Sequence, residues 1–226
     1  MRRIAVIGLG RFGMALSREL ASSGAQVLAI DRSANLVNEL KDDVDVAVRL
    51  DSTDETALAS QEIARFDVCV VAIGENFEAA LLTAVILGRL NVPRVICRAQ
   101  TEFHAEIFRQ IGAHEVIQPE TQSGGDLARK LANPHLEDFI SLADGFTLIE
   151  LRAPKEFHGQ TLLTLGLRTT YHVNLVAIKR PVPTGDSEEQ AEREIVSVPN
   201  PDNVIQPNDI LVVVGSDDAL ARLPKE

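Results

Sequence analysis

Between the apolar run Ile4-Ala5-Val6-Ile7 and a segment with helical spacing lies Gly8-Leu9-Gly10-Arg11-Phe12-Gly13. A Gly-x-Gly-x-x-Gly string is a weak signal alone. Here it follows a strand, opens a helix over residues 11–22 with Leu16 and Leu20 on one face, and has an acid, Asp31, 18 residues after Gly13. Gly8 allows the tight turn, Gly10 lets backbone approach phosphate oxygens, and Gly13 lets the helix pack close to the sheet. The helix N-terminus supplies free N–H groups and a partial positive charge for phosphate. The turn constrains the first 120 or so residues to a Rossmann-type nucleotide-binding domain.

The rest of that half repeats the pattern of apolar run, turn and helix. Further runs are Val27–Ile30, Val46–Val48, Val68–Ile73, Val95–Cys97 and Val116–Ile117. Helices are expected from Ser33, as cap, to Leu40, near 54–60 with Thr53 or Asp54 as cap, over 76–90 and over 102–111. The runs are continuous rather than alternating, which suits strands covered on both faces. Strand–helix alternation then implies right-handed crossovers and a doubly wound parallel sheet.

A further helix over 121–132, broken at Asn133-Pro134, marks a crossover and linker spanning 121–138. From 139 to 226 the pattern changes to strands at Phe146–Arg152, Leu175–Lys179 and Ile210–Val214, separated by Pro- and Gly-containing turns. This predicts a small β-rich α+β domain with helices near 161–166 and 217–223. The acidic stretch from Gly185 to Glu194 reads as a mobile loop. The fold class is therefore α/β, a Rossmann-like sheet followed by that smaller domain.

Other residues fall at the carboxyl edge of the sheet, where a ligand would lie. Asp31 ends the second run, where a carboxylate can accept both ribose hydroxyls and disfavours a 2′-phosphate; its plainer reading is a helix cap. Arg32 follows it. Asp51-Ser52 follows the third run, where an adenine ring would lie or where it would only cap the next helix. Ile73-Gly74-Glu75-Asn76 follows the fourth, with Asn76 also a candidate cap. Arg11 within the turn and Arg98 ending the fifth run favour a ligand rich in phosphate, such as ATP or ADP. The candidate nucleotide site is thus Gly8, Leu9, Gly10, Arg11, Phe12, Gly13, Asp31, Arg32, Asp51, Ser52, Ile73, Gly74, Asn76 and Arg98.

Composition excludes other classes. The net charge of −11 opposes nucleic-acid binding and adsorption to anionic lipid, though not docking onto a basic protein surface. No apolar run reaches the roughly 18 residues of a membrane span, and the run after Met1-Arg2-Arg3 is too short for a signal peptide, so a cytoplasmic protein is expected. Cys69 and Cys97 sit in apolar runs and read as buried free thiols of a reducing compartment. A dehydrogenase on this fold would need an acid–base residue near the nicotinamide. None of His104, His114, His135, His158 and His172 pairs recognisably with an acid, and Tyr171 lacks a lysine four residues later. The expectation is a binding protein rather than an enzyme, with a small NAD-dependent oxidoreductase as the lesser reading.

The strings Ala5-Val6-Ile7-Gly8-Leu9-Gly10-Arg11-Phe12-Gly13, Leu28-Ala29-Ile30-Asp31, Val71-Ala72-Ile73-Gly74 and Ile111-Gly112-Ala113 resemble those of the RCK (regulator of potassium conductance) domains. The stretch from Gly112 to Val116-Ile117-Gln118-Pro119-Glu120 resembles that family's strand leading into its crossover helix, and residues from about 139 resemble its companion TrkA-C domain. The likeness covers nearly the whole chain and is strongest to the stand-alone cytosolic gating subunits of Ktr-type potassium transporters. It implies homodimers assembled into a ring, octameric in relatives, on the cytoplasmic face of a membrane potassium transporter, with ATP and ADP exchange changing the ring's shape. It implies that Arg11 reads the terminal phosphate across a dimer interface. It also implies that Glu120 helps hold a divalent cation, Mg or Ca, beside the nucleotide; a carboxylate at a helix N-terminus is the plainer reading of Glu120. Relatives also bind cyclic di-AMP in the C-terminal domain, where Leu167–Asn174 matches, with Arg168 for phosphate and Asn174 for an adenine edge. An NAD(H)-responsive subunit of a Trk-type system is the alternative within the same resemblance, because Asp31 suits NAD as well as ATP.

Overall fold

The computed structural model describes residues 2–133, 135–181, 193–196 and 199–224. The chain forms two compact units, Met1–Ser123 and Gly124–Glu226.

The first unit is a six-stranded sheet of β1 (Arg3–Ile7), β2 (Gln26–Asp31), β3 (Val46–Arg49), β4 (Val68–Val71), β5 (Val95–Arg98) and β6 (Glu115–Ile117), in the order β3-β2-β1-β4-β5-β6. Every neighbouring pair is parallel. Helices α1 (Arg11–Ser22), α2 (Ala34–Leu40), α3 (Glu55–Ser60), α4 (Phe77–Arg89) and α5 (Glu102–Gln110) connect them. Successive residues of β1 go to different cores. Ala5 and Ile7 join Leu28, Ile30, Leu58, Val71, Leu87 and Phe108. Val6 joins Leu9, Met14, Ala29, Val37, Leu40 and Val70. Both sheet faces are therefore covered, and this is why the strand interiors are runs of apolar residues, with charged and polar residues such as Arg3, Gln26, Asp31, Arg49, Arg98 and Glu115 kept to the strand ends. From β1 the chain winds outward through β2 and β3, then returns to place β4 on the other side of β1. The β1/β4 junction is the switch point, where two loops diverge at the carboxyl edge and leave a crevice.

Several local expectations shift. The fourth strand ends at Val71, short of Ile73, because Ile73 turns to lay its backbone against Gly8. Ser33 occupies the N-cap position of α2, but its hydroxyl makes no capping bond; its own N–H donates to Asp31 Oδ1 at 2.8 Å. Of the two candidates for α3, Asp54 is the cap, accepting from Thr56 and Ala57 N–H.

The second unit holds a five-stranded antiparallel sheet of β7 (Leu136–Ala143), β8 (Phe146–Arg152), β9 (Asn174–Pro181), β10 (Arg193–Val196) and β11 (Ile210–Ser216), in the order β10-β9-β11-β8-β7. Helix α6 (Pro119–Ala132) precedes it. It starts two residues before the expected 121, since proline suits a first helical position. The linker expected to reach 138 ends earlier, because β7 begins at Leu136 and pairs with β8 as a hairpin. Its turn is Asp144-Gly145, where Gly145 takes φ +73. The helix expected near 161–166 is α7 (Leu162–Leu165), followed directly by α8 (Leu167–Thr170) because Gly166 takes a left-handed φ of +52 between them. The helix near 217–223 is the single turn α9 (Asp217–Leu220). Of the expected mobile loop, residues 193 and 194 belong to β10, paired with β9, and 185–192 lie outside the described residues, as does Pro134.

Leu151, Phe157, Val173, Ile178, Leu211 and Val213 form the core of this unit. One charge is buried with them. Asp209, 1% exposed, accepts from Arg180 at 2.8 and 3.0 Å and from the Gln206 N–H at 2.8 Å. A buried carboxylate is tolerable only with such full pairing.

Candidate functional site

The crevice at the switch point is a cleft of about 880 Å³, within the range of nucleotide and cofactor sites. Of the fifteen sequence-derived candidates, thirteen line it: Gly8, Gly10, Arg11, Phe12, Asp31, Arg32, Asp51, Ser52, Ile73, Gly74, Asn76, Arg98 and Glu120. Leu9 and Gly13 do not, and the reason is structural. The Leu9 side chain is fully buried in the core under α1. Gly13 is buried too, where a Cβ would lie 1.9 Å from the Gly8 carbonyl oxygen. Both residues shape the turn from behind.

That turn is wired through backbone. Gly8 N–H donates to Ile30 carbonyl at 2.8 Å, and Met14 N–H to Gly10 carbonyl at 2.9 Å. Leu9 N–H donates to Asp31 Oδ2 at 2.7 Å. Gly8 takes φ +97, and a Cβ there would come 2.8 Å from Ile73 N. Gly10 is the N-cap residue of α1, and no side chain caps it. By contrast α3, α4 and α5 are capped by Asp54, Asn76 and Thr101. The first-turn N–H groups of α1 thus have no side-chain acceptor, and the helix opens at the cleft. This is the chemistry of a phosphate seat.

Asp31 closes β2 with one oxygen on Leu9 N–H and the other on Ser33 N–H. Each carboxylate oxygen has two acceptor sites, so both keep capacity for a ribose hydroxyl. Asp51 accepts from the Thr53 N–H at 3.0 Å and hydroxyl at 2.7 Å. These bonds, the hydroxyl's first, hold its carboxyl below the ordinary value. Ser52 is nearly buried and its hydroxyl shares a 2.8 Å hydrogen bond with Thr83 on α4, tying the β3–α3 loop down. Asn76 accepts from Ala79 N–H, so it is a cap as well as a lining residue.

Arg98 ends β5 with its guanidinium against Gly74, where a Cβ would come 2.2 Å from Nη1. It pairs with Glu120 in the first turn of α6. That hydrogen bond is the main cause holding the Glu120 carboxyl below its ordinary range. Glu120 thus meets a cation, but it is an arginine. No three acids, histidines or cysteines among the described residues gather where a metal ion could sit. The described residues by themselves do not fit a divalent-cation site.

Sequence reasoning missed lining residues that arrive from helices and loop ends, among them Leu36, Leu50, Glu78, Leu82 and Gln100. Leu36, Leu50 and Leu82 supply apolar surface to the cleft. In the second unit, Arg168 is exposed on α8 and Asn174 opens β9, after His172 in left-handed conformation (φ +59). Cys69 and Cys97 are buried free thiols, and burial pushes both up to about 12.

The TrkA-N domain model matches residues 4–119 and the TrkA-C domain model residues 146–226. The Ktr system potassium uptake protein C of Bacillus subtilis is 35% identical over 99% of this chain and 96% of its own length. Ktr system potassium uptake protein A of the same organism is 32% identical over 100% and 96%. Among solved structures, a GsuK channel bound to NAD superposes with TM-score 0.53 at 21% identity over 98% of this chain and 37% of the channel chain. GsuK bound to ADP does so with TM-score 0.51 at 18% identity over 59% and 35%. No helix among the described residues is long and apolar enough to cross a membrane. With both domain models matched in order and full-length relatives above 30% identity, the chain belongs to the TrkA-N/TrkA-C family, the RCK proteins of potassium transport.

Proposed function

We propose that the protein is a nucleotide-sensing regulatory subunit that assembles with itself and gates a membrane potassium transporter from the cytoplasmic side, responding to the ATP/ADP ratio. The observation that carries this reading is the uncapped α1 N-terminus facing a cleft that also holds Arg11 and Arg98. Two guanidinium groups at the phosphate end favour a ligand with more than one phosphate. The Ktr relatives are potassium uptake proteins, and this supports the choice of partner. Binding rather than catalysis is proposed because the described lining holds no histidine, lysine, tyrosine or cysteine, and Asp31, Asp51, Ser52 and Glu120 are already engaged by Leu9 and Ser33, Thr53, Thr83 and Arg98.

A second reading, NAD or NADH as the signal, is favoured by Asp31, whose oxygens suit either ribose, and by the NAD-bound GsuK channel. For gating, the two ligands must differ in affinity between the two shapes of the assembly, or no switching follows.

Calorimetric titration with ATP, ADP, NAD, NADH and cyclic di-AMP, on wild type and Arg11→Ala, tests the proposal. The expected result is tighter ATP than ADP binding, with the discrimination reduced by Arg11→Ala. Binding of none of the adenine nucleotides would overturn the sensing role. Unchanged discrimination in Arg11→Ala would overturn phosphate reading by Arg11. Cyclic di-AMP binding abolished by Arg168→Ala would assign that ligand to the second unit.

A further inference from the structure

Arg98 sits in a confined place for an arginine. Its side chain is 15% exposed, and its Nε is buried with no hydrogen-bond partner among the described residues. Gly74 backs one terminal nitrogen, and the Phe12 ring of the glycine turn lies 5.8 Å from the guanidinium carbon. The other terminal nitrogen, Nη2, donates to Glu120 Oε1. Sheet register brings the two together: Arg98 pairs with Ile117, three residues before Glu120. Both residues line the same cleft as Gly10 and Arg11.

We propose that the Arg98–Glu120 ion pair is a built-in competitor for the phosphate end of the cleft, which a bound nucleotide's phosphate displaces, releasing Glu120 and the first turn of α6. This rests on the nucleotide reading above. The fork of a guanidinium carries five donors, and a single carboxylate oxygen on Nη2 leaves most of them to be used. A phosphate group offers more acceptor oxygens and more charge than a carboxylate, so it wins the exchange at close range. The exchange costs Glu120 little. It is 62% exposed to water, and it lies in the first turn of α6, where the helix dipole favours a negative charge whether or not Arg98 is beside it. The depressed Glu120 carboxyl is consistent with its present partner. The device would report occupancy of the cleft at the start of the helix that leads from the first unit into the second.

Calorimetry with ADP and with ATP in EDTA, which removes any divalent cation, tests this on wild type, Glu120→Gln, Arg98→Gln and the double variant. An ion pair with one exposed partner is a modest competitor, so Glu120→Gln should tighten binding about twofold to fivefold. Arg98→Gln should weaken it about tenfold or more. In the Arg98→Gln background, Glu120→Gln should have no further effect. Weaker or unchanged binding by Glu120→Gln, or an equal effect in both backgrounds, overturns the proposal. Carbon-13 titration of the Glu120 carboxyl gives a second reading: its midpoint should rise toward the ordinary range when ADP saturates the protein. If wild type binds neither nucleotide, the sensing role falls and inorganic pyrophosphate becomes the probe. A Glu120 midpoint that stays low at saturating ADP or pyrophosphate overturns the competitor.

Discussion

Replacing Gly13 by alanine puts a methyl group where no space exists. The added carbon would stand 1.9 Å from the Gly8 carbonyl oxygen and 3.0 Å from its carbon. An unstrained carbon–oxygen contact lies at about 3.3 Å or more, so roughly 1.4 Å must be recovered. Both sides are backbone, and Gly8 is pinned by Ile30 and backed by Ile73. Helix α1 therefore has to move off the sheet, away from Met14, Val37 and Leu40. Overpacking of this kind costs about 1–3 kcal/mol, and a clash between two pieces of backbone belongs at about 2–3. At about 2.1 cal/mol/K per residue over the roughly 120 residues of the first unit, this lowers Tm by about 8–12 °C. Gly10→Ala is the internal control. Gly10 takes φ −63, which any residue adopts, and nothing lies within 4 Å of its added carbon. Its stability should stay within about 1 kcal/mol of wild type. The methyl group points into open cleft at the phosphate seat, so nucleotide affinity should fall about tenfold, or 1.4 kcal/mol. Scanning calorimetry and nucleotide titration on both variants separate the two roles. A Gly13→Ala protein melting within about 2 °C of wild type, or a Gly10→Ala protein losing as much Tm as Gly13→Ala, would refute the reasoning.

Three further outcomes are expected. Asp31→Ala strands the fully buried Leu9 N–H and should cost about 1–3 kcal/mol in denaturant melts, with nucleotide binding lost as well; an unchanged melt would show that water replaces the carboxylate. Asp51 has an ordinary value of 3.8 and lies below it in the fold, so its contribution to stability is complete above about 3.8 and is lost as pH falls through the folded value. Thr53→Val should move its carbon-13 midpoint upward, and a static midpoint would sever that link. Cys69 and Cys97, pushed up to about 12 by burial, should be silent to a thiol reagent at pH 8 in the native protein and both react in guanidinium; fast native labelling would contradict their burial.

How legible the molecule was depends on whether a feature is local. The glycine turn could be read because its three glycines, the strand before it and Asp31 after it all lie within one short stretch. The sheet could be read because burial on both faces demands continuous apolar strands. Strand β7 escaped because Leu136–Ala143 mixes charged, polar and apolar residues without clean alternation. Its signal was the Asp144-Gly145 pair, which closes a hairpin. The Arg98–Glu120 partnership escaped for a different reason. The residues are 22 apart in sequence and meet only through the β5–β6 register, which no local pattern encodes. Leu36 and Leu82 look like ordinary helix-surface residues until the sheet order places them over the cleft.

The wiring of the glycine turn divides its positions by what they are free to become. Residues 8, 13 and 31 are tied into the fold itself, so substitution there is tested first by folding. Position 11 is exposed, beside the same ligand seat. Selection can therefore act on position 11 without first testing the fold. After a gene duplication, two such chains could diverge in the signal they heed while inheriting one scaffold intact.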